Sequence, residues 1–313
     1  MTLPLASSPL SAQQAFATAR SKESTILRFL FSLMRILTCQ EPIRAEPVGP
    51  ENVAGAQGAR VPRILTYNVH RCIGTDGRLR PERIAEVIAS CQPDIVALQE
   101  LDVGRARTNH VDQAEFIARA LDMQFHFHPA LHLIEEKYGD AILTPRPAKL
   151  VKAASLPGLA GRPALEPRGA LWTSVNVGGA EIQVITTHLG LRRDERLAQV
   201  DALLGPEWLG HPACREPIIL AGDFNALPRS RAYHRLTARL ADAQCSPLVR
   251  QSLPTFPSRL PFLRLDHVFV SRSIQVLRAE TIRTPLARVA SDHLPLLVEF
   301  QILHRNQGRA PVA

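Results

Sequence analysis

The sequence predicts an α/β protein, and three observations lead there. From residue 61 to residue 302, short apolar runs that read as strands alternate with amphipathic stretches that read as helices. Apolar residues make up 45% of the 313, ample for one large core. Several strand-like runs adjoin an acid, an amide or an imidazole. Pro217-Ile218-Ile219-Leu220-Ala221 leads into Gly222-Asp223-Phe224-Asn225, and Ser291-Asp292-His293 leads into Leu294-Pro295-Leu296-Leu297-Val298.

The elements follow in order. Val61 to Val69 reads as extended. Pro81 opens a helix that runs to Cys91 with Ile84, Val87, Ile88 and Cys91 on one face, and proline suits a first helical turn. Asp94-Ile95-Val96-Ala97-Leu98-Gln99-Glu100 is a short apolar run closed by an acid. Residues 112–121 read as helix, and 139–144, 149–154, 168–177 and 180–187 as strands. A helix over 193–204, a strand over 217–222 and a helix over 230–240 come next. Strands near 264–270, 275–283 and 294–302 complete the chain. No internal repeat and no domain boundary after residue 61 is evident. The alternation alone fits a doubly wound sheet and a two-sheet sandwich equally well.

Residues 1–60 have a different texture. Residues 40–60 are rich in Pro, Gly, Ala and Glu and read as a linker. Residues 24–37 would form an amphipathic helix, with Arg28, Ser32 and Arg35 as one polar stripe on an apolar cylinder. Three readings stand for it: peripheral contact with a membrane surface, docking on the domain, or an extension without structure. The arginines interrupt its apolar run and no small-residue cleavage site follows, which argues against a signal peptide. Residues 61–303 form the expected domain and 304–313 a tail.

Composition narrows the function classes. No apolar run reaches 18 residues, so no membrane-spanning helix is expected. The formal net charge of +8 suits polyanionic substrates such as nucleic acid or phosphoinositides. Only Lys22, Lys137, Lys149 and Lys152 of the 37 basic residues are lysine, so base composition of the genome explains the arginine excess equally well. Aromatics at 5% argue against a base-stacking single-strand binder. Five scattered cysteines without a CxxC pair point away from structural zinc or a disulfide framework and towards a reducing compartment. The expectation is a cytoplasmic monomer, peripheral at the inner membrane surface where 24–37 binds lipid.

The polar residues beside the strand-like runs carry the chemistry. Asn68 follows Ile64-Leu65-Thr66-Tyr67, Glu100 closes its run, and His188 follows Val184-Ile185-Thr186-Thr187. Asp223 and Asn225 come after Ala221, Asp266 lies in Arg264-Leu265-Asp266-His267-Val268-Phe269, and Asp292 and His293 precede the last strand. Any one of them is an ordinary turn former. Buried without partners, such groups cost about 2–7 kcal/mol each, and more when charged. As a set of acids, amides and imidazoles they suit a metal-assisted phosphoryl site.

In these segments the chain resembles the endonuclease/exonuclease/phosphatase superfamily. The matching signatures are Thr66-Tyr67-Asn68-Val69, Asp94 to Glu100, Thr187-His188-Leu189, Gly222-Asp223-Phe224-Asn225, Arg264 to Phe269 and Ser291-Asp292-His293-Leu294-Pro295, in the family's order over residues 62–302. Gly190-Leu191-Arg192, Thr255-Phe256-Pro257-Ser258 and Leu263-Arg264-Leu265-Asp266 resemble its small bacterial metal-dependent hydrolases. The resemblance implies a four-layer, DNase I-like sandwich: two packed mixed β-sheets flanked by helices, with the site where strand ends converge.

The resemblance also implies roles. Glu100 would hold Mg²⁺ or Mn²⁺, with Asn68 and Asp292 contributing, since such ions prefer hard oxygen ligands. Asp223 would orient and deprotonate the attacking water, and Asn225 would hold the phosphate or that water. His293 would stabilise charge on phosphorus or carry a proton, with its ring fixed by Asp266. His188 would donate to a non-bridging oxygen. Two departures stand out. His70 occupies a place where abasic-site endonucleases carry an acid, which counts against that repair role. Asp140 stands where small bacterial members have asparagine, adding a carboxylate near the site or capping a strand.

Weaker candidates are Arg105, Arg107 and Arg192, placed to grip substrate phosphate, with Arg193 beside Arg192. Phe125-His126-Phe127-His128, with His132, reads as strand alternation rather than a metal site. The expected function is a divalent-metal-dependent phosphoesterase working by in-line water attack. The substrate is nucleic acid or a phospholipid headgroup, with an inactive phospholigand-binding scaffold as the non-enzymatic alternative.

Overall fold

The computed structural model describes residues 60–133, 136–159, 161 and 166–303. The expected helix over 24–37, its linker and the tail lie outside the described residues. Twelve strands are present among the described residues: β1 (Arg63–Asn68), β2 (Ile95–Val103), β3 (Gln124–Leu133), β4 (Glu136–Thr144), β5 (Lys149–Ser155), β6 (Gly169–Val177), β7 (Ala180–His188), β8 (Ile218–Asp223), β9 (Ala241–Asp242), β10 (Asp266–Val270), β11 (Ile274–Thr281) and β12 (Leu296–Ile302). Five α-helices accompany them: α1 (Pro81–Cys91), α2 (Gln113–Ala120), α3 (Arg193–Leu204), α4 (Arg231–Thr237) and α5 (Pro285–Ala290).

The strands form two six-stranded sheets, ordered β11-β12-β1-β2-β4-β3 and β5-β6-β7-β8-β10-β9. Both are mixed. β1 and β2 run parallel, as do β7 and β8, and the other neighbours are antiparallel. Side chains alternate between the faces of a strand, and this alternation builds the layers. Ile64, Ile95, Ala97 and Val298 of the first sheet meet Leu171, Val184, Ile219 and Val268 of the second. Leu65, Tyr67, Val96 and Leu98 face the other way, onto Ile84, Val87 and Ile88 of α1 and Ile117 of α2. Trp172, Ile185, Leu220 and Phe269 pack under Val200 and Leu203 of α3 and Leu236 of α4. The result is the expected four-layer sandwich. Each sheet carries an apolar inner face, with Ile64, Ile95 and Val298 on one and Leu171, Val184 and Val268 on the other, and the two faces close on each other as a sandwich.

The helix over 81–91 and that over 193–204 stand where the sequence puts them. The helix expected over 230–240 stops at Thr237. The six-residue α5, with Thr284 accepting from the Ala287 N–H and Pro285 at its start, is too short to show a periodicity.

Register aligns the polar strand ends. Asn68 pairs with Gln99 across β1 and β2, and His188 with Asp223 across β7 and β8. Asp223 also pairs with Asp266, the first residue of β10. Gly222 makes the close approach possible. Its φ is +150°, and a Cβ there would lie 1.9 Å from the Thr187 carbonyl oxygen, so only glycine fits.

Candidate active site

Asn68, His188, Asp223 and Asp266 share the parity of Ile64, Val184, Ile219 and Val268, so each side chain points between the sheets. Glu100 does not share it. Along β2, Leu98 pairs with Ala141 and Leu101 with Gly139, which leaves Gln99 and Glu100 both opposite Asp140. This is a β-bulge, with Glu100 at φ +62°. Gln99 reaches across to the Thr186 hydroxyl at 3.0 Å, and Glu100 still turns inward to accept from Asn68 Nδ2 at 3.0 Å.

Asp223 is the hub. Its Oδ2 accepts from Asn68 Nδ2 at 3.0 Å, and its Oδ1 from the Asn225 N–H at 2.8 Å. His188 Nε2 lies 3.5 Å and His293 Nε2 3.7 Å from the same Oδ2. His293 Nδ1 is 2.8 Å from Asp266 Oδ2, which also accepts from the Thr255 hydroxyl at 2.5 Å. The Phe256 ring packs on His293, with centroids 4.7 Å apart.

The electrostatics follow from burial and neighbours. Burial works against charge on His293, but Asp266 and Asp223 outweigh it and raise the imidazole above its ordinary value. Burial raises the Asp223 carboxyl, with His293 opposing and Asp266 adding to the rise. His188 goes the other way: burial, then the positive charges of Arg168 and His293, hold it well below its ordinary value. Arg168 Nη1 lies 2.9 Å from His188 Nδ1. A guanidinium only donates, so Nδ1 accepts and the His188 proton sits on Nε2, facing Asp223 Oδ2 at 3.5 Å.

These groups open on a cleft of about 510 Å³ lined by, among others, Glu100, His188, Asp223, Asn225, Asp292 and His293. Arg71, Arg107 and Arg168 supply its positive charge. Asp140 is buried behind Glu100, and burial pushes its carboxyl up to about 8, against Arg168 and together with Glu100 and Asp223.

Two donor sets are available to a cation. Asp223, Asp266 and His293 bring one donor atom each within 4.8 Å of one another. In that trio the imidazole already holds Asp266, and its basicity is raised, so it shares protons better than it binds a metal. Glu100 and Asp292 offer hard oxygens at the cleft, with Asp140 behind, while Asn68 turns its Nδ2 to Glu100 and Asp223 and its oxygen to the His70 N–H at 3.0 Å. Burial is the main cause of the rise at Asp140, opposed by Arg168, with Glu100 and Asp223 adding to it. The donor chemistry therefore fits Mg²⁺ or Mn²⁺.

The structure brings Asn68, Glu100, His188, Asp223, Asn225, Asp266, Asp292 and His293 to one place. Asp292 sits at its rim, half-exposed, 3.9 Å from His70 Nδ1. Arg107 lines the cleft but is held by Asp102 through two hydrogen bonds of 2.7 Å and lies over the Tyr138 ring. Arg105 and Arg192 are not among the residues that line it. His126 and His128 belong to β3, as the alternation suggests. Sequence reading missed Arg168 and Arg71. The only local sign of Arg168 is its place immediately before β6, because its partner His188 comes from the next strand.

Comparison with known proteins gives the family and the fold. Residues 65–293 match the Endonuclease/Exonuclease/phosphatase family. The protein YbhP of Escherichia coli K12, described as uncharacterized, is 30% identical over 255 residues, covering 77% of this chain and 96% of YbhP. Among solved structures, the mannosyl-6-phosphatase of Bacteroides thetaiotaomicron superposes with a TM-score of 0.63 at 21% identity, over 77% of this chain and all of that one (100%). The human Nocturnin catalytic domain with bound sulfate gives 0.60 at 24%, over 77% and 93%. These two neighbours share the DNase I-like sandwich. The match over residues 65–293, with YbhP at 30% identity, makes this chain a member of the endonuclease/exonuclease/phosphatase family of phosphoesterases.

Proposed function

We propose that the cleft hydrolyses a phosphoester by in-line attack of water, with a divalent metal ion as cofactor. The observation that carries this reading is Asp223, buried, oriented by Asn68 and the Asn225 N–H, and flanked by two imidazoles of opposite character. Asp223 accepts the proton of the attacking water. His293, kept protonated by Asp266, donates towards the developing charge on the phosphoryl group. His188, neutral with its proton on Nε2, donates to a non-bridging oxygen, and Asn225 positions the water or phosphate. Glu100, with Asp292, would hold Mg²⁺ or Mn²⁺, which would neutralise phosphate charge and polarise the ester.

The full chain would be assayed on plasmid DNA, phospholipid vesicles, p-nitrophenyl phosphate and bis(p-nitrophenyl) phosphate, with Mg²⁺, Mn²⁺ or chelator. The mannosyl-6-phosphatase among the structural neighbours adds sugar monophosphates to that panel. Turnover that needs the metal and is lost in Asp223→Ala and His293→Ala is the expected result. No turnover of any ester with metal supplied would favour the phospholigand-binding scaffold.

A further inference from the structure

One buried histidine has no part in the chemistry above. His267 follows Asp266 along β10, so the two side chains take opposite faces of the sheet. Asp266 points between the sheets and holds His293. His267 points outward, fully buried beneath Tyr233 of α4 and among the rings of Phe224 and Phe269. Its Nε2 lies 2.8 Å from the Ala226 carbonyl oxygen. A carbonyl only accepts, so Nε2 carries a proton and donates it there.

Ala226 follows Asn225, whose backbone is left-handed with φ +47°. A residue other than glycine keeps that conformation only where its surroundings hold it. On the cleft side, the Asn225 N–H donates to Asp223 Oδ1 at 2.8 Å and its side-chain amide to the Leu189 carbonyl at 2.9 Å. On the far side, the bond from His267 fixes the carbonyl of the buried Ala226. The turn is thus pinned from both sides, and the outer pin is an imidazole that does not line the cleft.

His267 is itself held in place. Its ring stacks on Phe269 with centroids 5.4 Å apart and planes 19° apart, and Phe224 meets it edge-on at 5.8 Å. Its Nδ1 faces Asp242 Oδ2 at 3.7 Å, beyond hydrogen-bond reach. That oxygen accepts from Arg264 at 2.6 Å and from the Tyr233 hydroxyl at 2.8 Å, with all three residues buried. The hydrogen bond of the ring therefore runs to Ala226.

We infer that His267 is a positioning residue for the candidate active site: through the Ala226 carbonyl it sets the left-handed turn at Asn225, and with it the N–H that orients the Asp223 carboxylate. β10 then supports the site twice, with Asp266 fixing His293 from inside the sandwich and His267 fixing Asn225 from outside. The consequence for turnover rests on the hydrolase reading, whereas the geometry of the turn does not.

Three variants of the full chain test it. His267→Gln carries an amide N–H to about the place of Nε2, His267→Asn is too short to reach Ala226, and His267→Phe fills the ring space without a donor. Amide hydrogen exchange followed by NMR reads the turn. The Asn225 N–H should exchange about tenfold or more faster in His267→Asn and His267→Phe and near the wild-type rate in His267→Gln, while the Leu220 N–H of β8 changes little. A merely structural loss would speed both amides together. On an ester that the wild type turns over, kcat should fall about 10–100-fold in His267→Asn and His267→Phe, by more than KM rises, and His267→Gln should recover most of it. If His267→Phe melts early, His267→Gln and His267→Asn, alike in chemistry and different in reach, read the same contrast. Asn225 exchange unchanged in His267→Asn, or raised as much in His267→Gln, would overturn the inference. Absence of turnover in the wild type would defeat the hydrolase reading and leave the exchange rates to decide this one.

Discussion

Asn68 donates one amide to both Glu100 Oε1 and Asp223 Oδ2, each at 3.0 Å, and so ties the first sheet to the second through residues 155 apart in sequence. One side chain thereby fixes the distance between the expected metal ligand and the expected base.

Asp223→Asn should lower kcat by about 10²–10⁴-fold, the range for loss of a general base. Burial disfavours the Asp223 charge, so the variant should melt no lower than the wild type. Steady-state kinetics beside thermal melting separate the two effects. A variant with wild-type turnover would remove Asp223 from the mechanism.

Arg168→Met should lower kcat by about 10–100-fold, as expected for loss of a partner that orients a catalytic group. Without the Arg168 donor at 2.9 Å, His188 is free to carry its proton on either nitrogen. NMR of the His188 ring nitrogens should show the wild type as one neutral tautomer and the variant as a mixture. A single unchanged tautomer in the variant would count against this role.

Metal-free protein should lose stability from about pH 4 to about pH 8 through Asp140, and on to about pH 10 through His293. Asp140 has a folded pKa of about 8 against an ordinary 3.8. A carboxyl raised in this way favours the fold at low pH and loses that contribution as pH rises through the folded value. His293, raised by Asp266 and Asp223, acts in the same direction at the upper end. The expected fall in Tm is about 5 °C or more, and Asp140→Asn should flatten it. Mg²⁺ should raise Tm more near pH 8 than near pH 5, because only ionised acids bind it well. A melting temperature independent of pH and metal would contradict both points.

Gly222→Ala should be among the most damaging small substitutions, costing about 3 kcal/mol or more. The new Cβ would collide with the Thr187 carbonyl and disturb the β7–β8 pairing that places His188 beside Asp223. Circular dichroism melting would show it, and a wild-type Tm would refute the steric account.

Arg264→Leu should cost about 3–5 kcal/mol, since it strands a buried charge. Burial opposes ionisation of Asp242, yet Arg264 at 2.6 Å, with His267 and Tyr233, holds that carboxyl well below the usual range. Adding Asp242→Leu should recover part of the loss. A double variant no better than the single would place the effect in packing rather than charge.

The sequence by itself determined which polar residues end or begin strands in four cases, since Asn68, His188, Asp223 and Asp266 each adjoin an apolar run whose two-residue period is local and readable. Glu100, expected to close its strand, lies instead inside β2, which continues past the bulge to Val103. The order of those motifs carried the family resemblance, and with it the two-sheet sandwich that alternation alone left open. Tertiary structure decided the rest. The bulge that turns Glu100 inward depends on β4, and the tautomer of His188 depends on Arg168 across a strand pair. Periodicity reports which face a residue takes within its own strand, whereas the distance between two charges is set by how separate elements pack.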